Sequence, residues 1–154
     1  MHRTIISTVL ATGLMAGLSA PIAAEPSAED AYKYRESIMT ALKGHTGAIS
    51  MQTRGLAGDP SHITSHAQAI ANLGAELNSI FPEGSNVEDS AALPIIWEEP
   101  EKFAEALAKA EEAMTALGAA ASVNDLEAIG RAFRNVGKAC KGCHERYREE
   151  HDHH

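Results

Sequence analysis

The sequence predicts an all-α protein, an antiparallel up-down bundle of four helices. Three observations carry this reading. Apolar residues recur at steps of three and four in four separate stretches, the period of a helix buried along one face. Ser27, Asp59 and Asn124, residue types that cap helix starts, stand before three of those stretches. No stretch alternates apolar and polar residues as a strand does, and the joints are mostly short, which sets consecutive helices antiparallel.

The first helix is predicted from about Ser27 to Arg54. Ser27 caps it, and Asp30 stands three residues on, in the capping-box position. Ala31, Tyr34, Ile38, Leu42, His45 and Ile49 form its stripe, and Gly55 and Gly58 end it. The second helix starts at Asp59-Pro60, where proline suits the first helical position. Ile63, Ala67, Ile70, Leu73, Leu77 and Ile80 line it until Phe81-Pro82-Glu83-Gly84 stops it. His62 and His66 lie one turn apart, a spacing that can clip a metal; the plainer expectation is two solvated side chains.

Residues 82–94 are the longest connection and lead into Leu93-Pro94-Ile95-Ile96-Trp97, where the single tryptophan is expected to anchor the loop. The third helix is predicted from about Glu98 or Pro100 to Leu117, with Phe103, Leu107, Ala110, Met114 and Leu117 inward and Gly118 ending it. The fourth is predicted from Asn124, boxed with Glu127, and carries Leu126, Ile129, Phe133, Val136, Cys140, Cys143 and Tyr147 on its stripe.

Composition narrows the class. The chain has 154 residues, enough for one domain with a real core. Its net charge of −8 argues against nonspecific binding to nucleic acid. Residues 1–24 have the form of a cleaved signal peptide: His2 and Arg3, an apolar run from Ile5 to Leu18, then Ile22-Ala23-Ala24 before Glu25. The run is short and broken for a membrane anchor. The mature chain, 25–154, then carries 12 basic and 21 acidic residues, a net −9, and is expected to have no membrane span. The tail ends in His151, His153 and His154, expected to be a solvated end.

The chemistry concentrates in Cys140-Lys141-Gly142-Cys143-His144, the C-x-x-C-H pattern of c-type haem attachment. On a helix, positions i and i+3 share a face, so two thiols can bond the vinyl groups on one porphyrin edge. The histidine that follows can bring an imidazole to the iron. These are the only cysteines in the chain. A thioredoxin-like pair would want a preceding strand. A zinc site would need two more ligands. A plain disulfide leaves the histidine unexplained. One covalent haem c is the reading that uses all five residues. It also suits an export signal and a core with few aromatics, at 5% of the chain.

Over residues 27–148 the chain resembles the class II c-type cytochromes, cytochrome c prime and its low-spin relatives of the cytochrome c556 kind. The resemblance rests on the haem motif and Tyr147-Arg148 near the C-terminus, Lys33-Tyr34-Arg35, Phe81-Pro82, and Pro94-Ile95-Ile96-Trp97. It implies a periplasmic, non-enzymatic monohaem protein acting in electron transfer. Cys140 and Cys143 would carry the thioethers and His144 the proximal nitrogen. Arg148 would stand near the proximal face, and Arg35 would contact a haem propionate, a surface charge being the alternative. Met39, four residues after Arg35, matches the position over the distal face. As a ligand it would give low-spin iron suited to electron transfer. As a mere lid it would leave an open site for NO or CO. Met51, Met114 and His45 are weaker distal candidates. The resemblance also implies pairing into a homodimer through the first two helices; the redox partner is unknown.

Overall fold

A computed structural model describes residues 26–149. The expected signal peptide and the tail histidines His151, His153 and His154 lie outside the described residues. Four long helices form the bundle: α1 (Ala28–Thr53), α2 (Ile63–Gly74), α4 (Pro100–Ser122) and α5 (Leu126–Tyr147), with a single turn, α3 (Ile95–Glu98), before α4. Among the described residues there is no strand, only an isolated bridge between Ala92 and Arg148.

α1 begins as its sequence predicts. The Asp30 N–H donates to Ser27 Oγ at 3.1 Å, and the hydroxyl donates back to the Asp30 carboxylate at 2.6 Å. It ends where Gly55, at φ 66°, lets the chain reverse. The Leu56 N–H then reaches Met51 O, and the Gly55 N–H reaches Gln52 O. This paired closure needs a left-handed residue, which glycine supplies without strain.

Four boundaries differ from expectation. Pro60–His62 forms a tight 3-10 turn before α2, and α2 stops at Gly74 instead of running to Ile80. Leu77 and Ile80 stay buried after the helix has ended, so the apolar stripe outlasts the hydrogen-bond ladder. α4 passes through Gly118 and the alanines after it to Ser122. Gly118 is a packing position: a Cβ there would stand 2.6 Å from Ala71 Cβ of α2. α5 is capped by Asp125, whose carboxylate accepts from the Ala128 N–H, one residue later than predicted. Asn124 adopts φ 52° in the turn and accepts from the Thr64 hydroxyl.

Neighbouring helices pack in sequence around the bundle: α1 on α2, α2 on α4, α4 on α5. Ile49, Ile70, Met114, Leu117, Ile129 and Val136, all nearly inaccessible, fill the core. Phe81, Phe103 and Tyr147 stack edge-to-face in series, each pair of ring centres 4.9 Å apart, tying the loop to α4 and α5. The fourth side, between α1 and α5, has no comparable helix–helix contact, and a cavity occupies it.

Candidate haem site

The cavity has a volume of about 610 Å³. That lies within the roughly 300–1,000 Å³ usual for a site enclosing a small molecule. α5 contributes Cys140, Cys143 and His144 to one wall, with Phe133, Val136 and Gly137 on the same face. α1 contributes Arg35, Met39 and Leu42 to another. Leu77, Ile96, Phe103, Leu107 and Met114 supply an apolar floor, and Ser90, Ala91 and Ala92 of the long loop form a rim. All six predicted site residues, Arg35, Met39, Cys140, Cys143, His144 and Arg148, therefore meet at one cavity.

The two cysteines are half-buried and form no disulfide. Burial raises both pKa values, that of Cys143 to about 11, with Cys140 adding to it. A reactive redox pair needs the opposite shift, toward thiolate. Among the described residues no cluster of three or more His, Cys, Asp or Glu side chains could hold a metal ion, so a closed zinc centre also lacks its donors. Burial, with the Arg148 charge nearby, lowers the pKa of His144 and keeps its imidazole neutral, the form that ligates a metal. Two thiols and a neutral imidazole on one side of an apolar slot are the donor set that a covalently held porphyrin requires.

Arg35 is only 4% exposed. Its Nη atoms donate to Ile80 O, to the Oγ and carbonyl of Ser85, and to Ser90 Oγ, at 2.9–3.2 Å. The guanidinium also lies 5.0 Å from the centre of the Phe81 ring and 6.0 Å from that of Trp97. Burial lowers its pKa, opposed by Tyr32 and Glu36. Trp97 anchors the loop as expected, its indole N–H donating to Pro82 O at 3.0 Å. Tyr32 holds Asp89 O, while Leu93 and Glu149 pair their main chains with Tyr147 and Ala91. The loop rim is thus fastened to both α1 and the end of α5.

The weaker distal candidates separate. Met114 is buried in the cavity floor, while Met51 is about half exposed and lies off the cavity. His45 lies off the cavity wall and instead meets His66 of α2. Lys43 and Arg134 line the cavity and were not singled out from the sequence. Their signal was present: Lys43 stands one turn after Met39, and Arg134 stands two three-residue steps before Cys140.

Comparisons with known proteins identify the family. The family model described as Cytochrome C' matches residues 30–148. A cytochrome c' of Pararhodospirillum photometricum is 32% identical over 124 residues, spanning 80% of this chain and 99% of that one. A cytochrome c-554 of Cereibacter sphaeroides is 38% identical over 125 residues, 75% of this chain and 78% of that one. Among solved structures, the nitric oxide complex of a mutant cytochrome c prime from Alcaligenes xylosoxidans superposes with a TM-score of 0.74 at 30% identity, covering 83% of this chain and all of that one. The chain belongs to the cytochrome c' family of four-helix-bundle proteins and carries one covalently attached haem c at its only two cysteines.

Proposed function

We propose that the protein is a periplasmic one-electron carrier, not an enzyme, in which His144 is the proximal iron ligand and Met39 the distal one. The observation that carries this reading is that Met39 of α1 lines the same apolar cavity as Cys140, Cys143 and His144 of α5. Bound haem c supplies an Fe(III)/Fe(II) couple whose potential a thioether ligand raises. The chain supplies the rest. Cys140 and Cys143 fix the group on α5, and His144 presents a neutral nitrogen. The apolar floor of Leu107, Ala110 and Met114 excludes water. Four of the five N–H groups of Arg35 face the loop, leaving Nε as its remaining donor for a propionate. Lys43 on the α1 side and Arg134 and Arg148 on the α5 side give the cavity lining further positive charge.

A second reading has Met39 as a lid over five-coordinate iron that binds NO or CO. The nitric oxide complex of the Alcaligenes xylosoxidans relative favours it. Among the described residues no helix is long and apolar enough to cross a membrane, which fits export as a free protein. Pairing through α1 and α2 belongs to the same reading. Tyr34, Met51 and Leu56, on α1 and just beyond it, are large apolar side chains about half exposed.

Absorption spectra of the holoprotein test the two readings. A sharp reduced α-band unmoved by CO, turned high-spin by Met39→Ala, is the result expected of a ligating methionine. A broad reduced band that shifts with CO, unchanged in character by Met39→Ala, removes Met39 as ligand and leaves the gas-binding reading.

A further inference from the structure

Away from the haem cavity, a facing pair of imidazoles joins α1 to α2. His45 of α1 and His66 of α2 face each other with Nδ1 atoms 2.9 Å apart and ring centres 5.2 Å apart. Both are half-buried. His62 lies one turn before His66 and is exposed. We propose that His45 and His66, with His62 as a third ligand, bind a divalent transition-metal ion of the copper(II) type and so clip α1 to α2.

Several features of the pair support this. Two neutral imidazoles can share only one proton between facing Nδ1 atoms, and a metal replaces that proton while using both lone pairs. With metal–nitrogen bonds of about 2.0–2.1 Å, a 2.9 Å separation subtends an angle of about 90°. That is the cis angle of tetragonal sites, which suit copper(II) or nickel(II). A tetrahedral zinc centre would need the pair opened to about 3.3 Å. Copper(II) is also the strongest binder of the divalent series at nitrogen sites. Burial and the neighbouring His45 and His62 lower the pKa of His66, which holds it in the ligating form near neutrality. As the side chains stand, no third His, Cys, Asp or Glu is placed with the pair among the described residues, so His62 has to move in and water completes the coordination. His62 ends the 3-10 turn four residues before His66, near enough for its charge to lower the His66 pKa, and a change of rotamer is the movement the third ligand requires.

The test uses the oxidised full-length holoprotein with copper(II), followed by titration calorimetry and electron paramagnetic resonance at pH 7.5. Because His151, His153 and His154 form a competing ligand set in the sequence, a background with all three changed to alanine is measured beside the wild type. The proposal expects that background to bind one copper(II) with nitrogen superhyperfine structure, and to melt at a higher temperature with copper(II) than without. His45→Gln or His66→Gln should lower the affinity at least tenfold and abolish the rise in melting temperature, His62→Gln by a smaller factor. Circular dichroism of the variants confirms that the bundle is retained. Binding lost with the tail histidines alone, or kept unchanged in the His45→Gln/His66→Gln double variant, overturns the site. Should the Gln variants unfold, the melting and resonance measurements on the background alone decide: no copper-dependent rise and no nitrogen coupling overturn it.

Discussion

The guanidinium of Arg35 donates to both the hydroxyl and the main-chain carbonyl of Ser85, each at 2.9 Å. The pair joins α1 to a loop 50 residues away that has little regular structure of its own. Loop carbonyls buried against the bundle need donors, and Arg35 serves Ile80 and Ser85 with one side chain. Arg35→Leu should keep the apolar contacts with Phe81 and lose these donors. A drop of about 2–4 kcal/mol in unfolding free energy is expected from denaturant titration. Amide exchange should accelerate first in residues 82–92. Uniform acceleration across α4 and α5 would mean that Arg35 serves general packing instead of the loop.

Gly118 and Ala71 set the distance between α4 and α2. Gly118→Ala gains about 1 kcal/mol of helix propensity. It also drives a methyl to 2.6 Å from Ala71 Cβ, and forced overpacking costs about 1–3 kcal/mol. Net destabilisation is expected, and Ala71→Gly in the same chain should recover part of it. Thermal melts of the four proteins in the cycle measure this; a Gly118→Ala variant more stable than wild type would show that the helices part freely there.

The chain without its haem should not keep a fixed core. The cavity of about 610 Å³ opens to solvent, so without haem its apolar lining, Leu107, Ala110 and Met114 included, meets water in place of the porphyrin. Whole domains are stable by only about 5–15 kcal/mol. Cys140→Ser/Cys143→Ser protein freed of haem should therefore retain far-ultraviolet helix signal, bind a hydrophobic dye and lose its cooperative melt. A sharp melt at the holoprotein's temperature would mean that the bundle closes over the cavity unaided.

Glu99 couples the start of α4 to the end of α5 through Arg146, and it pairs with Lys102 as well. Hydrogen bonds from these two cations hold its pKa below the ordinary 4.5. A carboxylate with a depressed folded-state pKa stabilises the fold above its unfolded pKa, and that contribution disappears as pH falls through the folded value. Glu99→Gln should thus lower the melting temperature at pH 7, by a small amount because the pair is solvent-exposed. The gap from wild type should close as pH drops below 4.5 toward 3. A gap that persists at pH 3 would assign the effect to packing.

Local chemistry was readable where a few neighbouring residues suffice to specify it. Ser27 with Asp30 and Gly55 after Arg54 bound α1 through short-range hydrogen bonds and backbone preference, and both ends stand as read. The haem motif is local in the same sense, because its spacing alone puts two thiols and an imidazole on adjacent faces of one helix. Gly118 was misread for the opposite reason. A glycine inside an apolar pattern reads as a stop until the facing Ala71 is known, and only the packing of α2 on α4 supplies it. The start at Asn124 missed by one residue because Asn and Asp are both good caps, and Thr64 of another helix claims the asparagine.

The sequence by itself determined four helices, their inward faces and the cysteine pair that holds haem, since each follows from periodicity or from contacts within one or two turns. Only the tertiary structure decided what crosses between helices. It kept α1 and α5 apart to leave a cavity, brought Met39 to that cavity, turned His45 away to His66, and buried Arg35 against the 80–90 loop. The physical reason is that a periodic stripe says which side of a helix leaves water, while which groups meet there depends on how the whole set of stripes packs.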